Sequence, residues 1–254
     1  MENKLEEQLE KQRERQGTSV VLLYHRMGWP KLGSLVTGQY VAPCLFRSQM
    51  DSLVAGGWKP VSFADMIENG ERDEDKFCIT FDDGYLSVYD RACPVLAERG
   101  MTGTIFVVAD SVGGINEWDR RRGDQAEKMM SAHQLAELAE SGLEIASHTL
   151  THPRLPQLSD GELKRELVDS KRKLEDISGH EVTSFSYPYG DYDERVRDAA
   201  QESGYKYAAT TRLGVVPVGV QPYEIPRVNV RWNAITPLLM RKIRRARRAS
   251  GMLA

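Results

Sequence analysis

From residue 19 onward the chain alternates short β-branched or apolar runs with longer amphipathic stretches, and few architectures bury such a pattern. Strands that are apolar on both faces need helices to cover them, so the alternation predicts βα units around a parallel sheet. Runs at 19–24, 59–62, 76–81, 102–108, 143–147, 183–187, 206–210 and 223–228 predict strands, and 45–56, 63–69, 86–99, 131–141, 160–178, 192–203 and 235–248 carry apolar residues at helical spacing. In 160–178, Ser159 caps with Glu162, Leu163, Leu167 and Leu174 form a buried stripe, and Gly179 stops the helix. Seven or eight such units suit a closed or nearly closed barrel, and an open doubly wound sheet uses the same alternation. No glycine-rich phosphate fingerprint supports the open, nucleotide-binding version.

At 254 residues and 41% hydrophobic, the chain predicts one domain with a full core. Residues 2–16 are strong helix formers with only Leu5 and Leu9 apolar, so 1–17 is expected to be an exposed helical extension, 18–234 the barrel, and 235–254 a basic amphipathic helix and tail. A formal charge of −3 gives no footprint for nucleic acid. Locally, six cations in 241–248, with Leu238, Leu239 and Ile243 nearby, suggest peripheral contact with anionic lipid. The charged N-terminus lacks a secretory apolar stretch, which points to the cytoplasm. The three cysteines, Cys44, Cys78 and Cys93, are too far apart for a thiolate metal site and read as core or free thiols.

Chemistry concentrates at strand ends. The apolar run 76–81 stops at Asp82-Asp83-Gly84, and adjacent carboxylates repel unless a cation or a proton separates them. Taken alone, the triplet is equally a turn. Strand 143–147 ends one residue before His148, and His152 follows four residues on, so both imidazoles can face one ion if the segment takes a helical turn. Two histidines and a carboxylate leave coordination positions open for water and substrate. A third strand ends in Tyr187-Pro188-Tyr189-Gly190, a turn that exposes backbone N–H groups and offers tyrosine rings to a sugar. His133 and His180 are explained by capping or exposure.

Thr80-Phe81-Asp82-Asp83-Gly84, His148-Thr149-Leu150-Thr151-His152 and Tyr187-Pro188-Tyr189-Gly190 resemble, in order, the first three motifs of the polysaccharide deacetylases (carbohydrate esterase family 4, NodB-homology domains). The resemblance spans about residues 19–230 and implies a distorted (β/α)7 barrel and metal-dependent removal of N-acetyl groups from N-acetylhexosamine units. It further implies Asp82 as general base, Asp83, His148 and His152 as ligands of zinc (or cobalt, nickel or manganese), Tyr189 N–H as oxyanion donor, and the turn 187–190 as substrate contact. Two positions depart from the pattern. The arginine that commonly opens the third motif is replaced by Ser186, and no histidine follows His180 to serve as the late general acid. His25, ending the first strand as Tyr24-His25, is the expected replacement acid and resembles the circularly permuted branch of the family. Arg227 is the expected substitute for the missing arginine. Two other readings stay open: a glycan-binding barrel that has lost catalysis, and a hydrolase of small cyclic amides.

Overall fold

The structure is a computed structural model that describes residues 19–68, 75–217 and 219–249; the expected extension 1–17 lies outside them. The strands are β1 (Ser19–Tyr24), β2 (Arg26–Met27), β3 (Tyr40–Val41), β4 (Lys59–Val61), β5 (Lys76–Asp83), β6 (Thr104–Val107), β7 (Glu144–Ser147), β8 (Ser184–Ser186), β9 (Tyr207–Ala209) and β10 (Val228–Asn229). The α-helices are α1 (Pro43–Ala55), α2 (Phe63–Glu68), α3 (Leu86–Arg91), α4 (Cys93–Ala97), α5 (Glu117–Arg120), α6 (Ala132–Glu140), α7 (Asp160–Ser178), α8 (Glu194–Glu202) and α9 (Thr236–Ala249).

The main sheet is parallel and runs β10-β1-β5-β6-β7-β8-β9, with β4 beside the first half of β5. The expected last strand, 223–228, divides its pairing. Ile225 bridges to Ala209 on β9, and three residues later the chain joins β1 through Leu22↔Val228. One extended segment thus bridges both edges and curls the sheet into the distorted barrel that the alternation allows, rather than an open sheet.

The two-residue period of a strand sorts side chains between two cores. On β1 and β5, Val20, Leu22, Tyr24, Phe77, Ile79 and Phe81 pack outward against the helices. Val21 and Cys78 belong to a smaller cluster with Phe106, Ala146, Ala209 and Ile225, capped by Phe63 and Met66 of α2. The same parity sends Thr80 and Asp82 to the inner face, at the carboxyl end where a parallel barrel places its chemistry.

Helix α7 has both halves of the capping box, Ser159 and Glu162, and ends at Gly179 with φ 72°, as expected. The expected helix 86–99 breaks at Ala92 into α3 and α4. Helix α9 corrects the lipid-facing expectation: Leu239 and Ile243 are buried in the main core, and of the three named apolar residues only Leu238 is exposed. Among the described residues no helix is long and apolar enough to cross a membrane.

Residues 26–44 and 109–130, without helical or strand periodicity in sequence, carry structure of their own. The first contains the β2–β3 pair and the second contains α5. Arg26, fully buried, ties them together: its guanidinium reaches Asp119 at 2.5 Å, Asp124 at 3.2 Å, Tyr85 Oη at 2.8 Å and Tyr40 Oη at 3.1 Å. Asp124 also accepts from Leu35 N–H at 2.7 Å. This network roofs the carboxyl end of the barrel.

Candidate active site

Asp82 and Asp83 are both buried at the end of β5. Strict alternation would turn Asp83 toward the helices; its left-handed backbone, φ 77°, followed by Gly84 at φ 86°, brings it to the same chamber as Asp82.

His148 and His152 meet Asp83 by a different route from the one expected. The segment is not a helical turn but a loop with Thr149 at φ 71° and His152 at φ 64°. Such positions persist only where surroundings hold them. Thr149 Oγ1 accepts from His152 N–H at 2.9 Å, and the buried Glu166 carboxylate of α7 accepts from Leu150 N–H, Thr151 N–H and Thr151 Oγ1 at 2.9, 2.9 and 2.6 Å. Glu166 is a residue that sequence reasoning missed. It interrupts an apolar stripe between Leu163 and Leu167, which is a legible anomaly on a buried helix face. Glu166→Gln is expected to keep the fold and weaken zinc binding by about tenfold, measured by chelator competition beside circular dichroism. Unchanged affinity would show that the loop holds itself.

The donor set fits a divalent ion. Nε2 of His148 and Nε2 of His152 lie 3.5 and 3.4 Å from Asp83 Oδ1, with all three donor atoms within 4.8 Å of one another. Donors each about 2.0–2.1 Å from a tetrahedral ion are roughly 3.4 Å apart. His148 Nδ1 sits 2.7 Å from the Ser186 carbonyl, which fixes it as the N–H and leaves Nε2 as the lone pair. Burial lowers the pKa of both imidazoles, His152 well below its ordinary value, so they are present as neutral ligands. Asp83 is shifted the other way: burial, then Asp82, then Asp119 push its carboxyl well above the usual range. A cation at the three donors removes that penalty.

Asp82 sits in a separate electrostatic setting. Burial alone would raise its pKa, but Arg227, assisted by His148, holds it well below the usual carboxylate range. Arg227 is fully buried and grips both oxygens, Nη1 to Oδ1 at 2.7 Å and Nη2 to Oδ2 at 2.8 Å. Its other donors reach Thr210 O at 2.8 Å, Thr80 Oγ1 at 3.2 Å and Ser186 Oγ at 2.9 Å. Ser186 therefore stands within the Asp82–Arg227 cluster, and a bidentate guanidinium is present despite the departure from the motif.

His25 lies at the mouth with Nδ1 sealed from solvent and unpartnered among the described residues. Burial outweighs the attraction of Asp82 and pushes its pKa down to about 4. In the turn after β8, Tyr189 takes φ 62° and Gly190 φ 70°. A Cβ at Gly190 would fall 2.0 Å from Thr211 Oγ1, so only glycine fits. Tyr189 presents its ring edge-on to His152 at 4.6 Å, while Trp118 of α5, unforeseen from sequence, stacks on the same His152 imidazole at 4.7 Å. Tyr187 and Pro188 are both buried; the Tyr187 ring packs against Phe185 and Tyr192 with its hydroxyl donating to Tyr223 O, and Tyr187 also lines the inner chamber.

These groups line an inner chamber of about 130 Å³, continuous through His25, Gln39 and Tyr189 with an outer one of about 420 Å³. The three histidines also make the metal-free protein acid-sensitive. Their folded pKa values lie below the unfolded value of about 6.5, so below that pH the unfolded chain binds more protons. Their stabilisation is whole above pH about 6.5 and is lost as pH falls; the raised carboxyls of Asp83 and Glu144 work oppositely, but are two groups against three. In EDTA the melting temperature is expected to be lower at pH 5 than at pH 7, and an equal or higher value at pH 5 would contradict the neutral-histidine assignment.

A sequence profile described as polysaccharide deacetylase matches residues 69–208. The chain belongs to the polysaccharide deacetylase family. YxkH of Bacillus subtilis, which carries the family's name, is 31% identical over 189 residues, 73% of this chain and 63% of that protein. The poly-β-1,6-N-acetyl-D-glucosamine N-deacetylase of Staphylococcus epidermidis is 28% identical over 210 residues, 76% of this chain and 69% of that one. The chain thus spans under two thirds of YxkH and slightly more of the staphylococcal enzyme. The fold is shared with the Streptococcus pyogenes deacetylase PplD, solved in complex with acetate: TM-score 0.77, 22% identity, 90% of this chain and 99% of that chain.

Proposed function

We propose that the chain is a divalent-metal hydrolase that removes N-acetyl groups from N-acetylhexosamine units of a glycan, zinc being the expected ion. The observation that carries this reading is the convergence of the Asp83, His148 and His152 donors beside an Asp82 carboxylate that Arg227 holds apart. The ion, held by those three residues, would supply Lewis-acid polarisation of the acetamide carbonyl and acidify water. Asp82, ionised and fixed by two hydrogen bonds, takes the proton of the attacking water. The Tyr189 N–H, at the tight turn beside His152, is assigned to the oxyanion that develops on the carbonyl oxygen.

His25 is assigned the proton donated to the departing amine. With a pKa near 4 it is neutral in the free protein, so it must gain its proton during turnover. Negative charge building beside it raises its basicity at the point where the proton is needed. Its place at the end of β1, ahead of the aspartate strand, supports membership of the permuted branch.

Against the reading of a barrel that has lost catalysis, motivated by Ser186 and the absent late histidine, stand the Arg227 grip on Asp82 and the position of His25. The test is elemental analysis of the purified protein with acetate release measured over N-acetylglucosamine oligomers and small cyclic amides. Metal-dependent acetate release is expected. Turnover of cyclic amides alone would overturn the substrate class.

A further inference from the structure

Around the two chambers the carboxylates are matched with cations inside the protein. Asp82 is held by Arg227, Asp119 and Asp124 by Arg26, and Asp191, at the rim, by Arg154 at 2.9 Å. Asp83 belongs to the ion site. The cations are not all used. Arg231, exposed, lines the outer chamber, its guanidinium has no hydrogen-bond or ion-pair partner among the described residues, and it is the chamber's one charged lining residue. Its guanidinium rests against Gly38, within 3.7 Å of where a Cβ there would lie.

Behind it stands more positive charge. Lys242 of α9 donates to the carbonyl of Asn229, another lining residue, at 2.5 Å. Its pKa is lowered by burial and then by the neighbouring Arg231 and Arg245, as expected of cations crowded together without an anion. At the junction of the chambers the Gln39 Oε1 is buried and unpartnered, an acceptor lacking a donor. Uncompensated cations repel one another, and an unpaired buried acceptor costs stability; a ligand with an anion and a hydroxyl or amide N–H relieves both.

We propose that the outer chamber receives a carboxylate or phosphate carried beside the N-acetylhexosamine whose acetamide enters the inner chamber, with Arg231 as its receptor and Gln39 accepting from the sugar. The substrate is then an acidic glycan, an assignment that rests on the deacetylase reading of the inner chamber. A guanidinium suits either oxyanion, since its fork donates two parallel hydrogen bonds.

The test compares acetate release by the zinc-loaded protein from a neutral N-acetylglucosamine pentamer, a tetrasaccharide alternating N-acetylglucosamine with glucuronate, and N-acetylglucosamine 1-phosphate. At low salt kcat/KM is expected to be about tenfold higher for an acidic probe than for the neutral one, and to converge as salt is raised. Which acidic probe wins distinguishes carboxylate from phosphate. In Arg231→Gln the acidic-to-neutral ratio should fall by about tenfold, carried by KM, whereas Arg165→Gln, on the exposed face of α7, should leave the ratio as it is. A wild-type ratio of one, or a ratio insensitive to Arg231→Gln, overturns the proposal. If no probe loses acetate, it is the deacetylase reading that falls. Equilibrium binding of the acidic tetrasaccharide to the metal-free protein then decides the anion site: about tenfold weaker binding by Arg231→Gln supports it, and equal or absent binding overturns it.

Discussion

Asp82→Asn is expected to lower acetate release by about 10²–10⁴-fold at saturating zinc while leaving one ion bound per chain. The substitution is close to isosteric, and it touches none of the three ion-binding donors. It removes the acceptor for the water proton and keeps an oxygen for Arg227 to hold. Zinc stoichiometry and kcat measured on the same preparation separate the possibilities. Full turnover with the ion bound would take the base assignment away from Asp82. Loss of the ion together with activity would show that Asp82 is a ligand.

Arg227→Met should produce the largest loss of stability. The guanidinium is fully buried and donates to Thr210, Thr80, Ser186 and both oxygens of Asp82. Removing it strands the Asp82 carboxylate without a counterion, a change that costs about 3–5 kcal/mol in buried pairs. In a protein of this size that corresponds to a fall in melting temperature of about 10 °C. The pH behaviour carries the sign. With Arg227 present, Asp82 titrates below its unfolded value of about 3.9, so its stabilisation is complete above that pH and is lost only as pH falls through the lower folded value. Without Arg227, burial is less opposed, and Asp82 titrates higher; the acid limb of kcat against pH should move up with it. An unmoved acid limb would mean that Arg227 is structural and does not tune the base. Arg227→Lys, which keeps a charge but not the fork, should recover part of the stability and less of the rate.

Much of this was readable in the chain. The βα alternation survives into the structure because the central strands β1, β5 and β6 are buried on both sides, and the aspartate and histidine pairs fall at strand ends because that is where the barrel opens. Parity contains more than was taken from it. Ser186 reaches Asp82 on the inner face of β8, so its neighbour Tyr187 turns its ring into the core, against Phe185 and Tyr192. Glu166 was visible as an acid in an apolar stripe. Trp118 and the Arg26 cluster were not, because 109–130 and 26–44 have no periodicity and meet only through the closed barrel. The left-handed turns at Thr149 and His152 are likewise imposed from outside, by Glu166, and local preference predicts a helical turn instead.

Arg26 makes the roof of the site a single heritable piece. It lies next to His25 in the chain, and both Asp119 and Asp124 depend on it for their charge partner among the described residues. Stretches 26–44 and 109–130 can therefore be grafted only as a matched pair. Transplanting one alone would leave either a buried guanidinium or buried carboxylates without a partner. Redesign of the roof has to move two distant segments at once, while the outer chamber's Arg231 can be changed by itself.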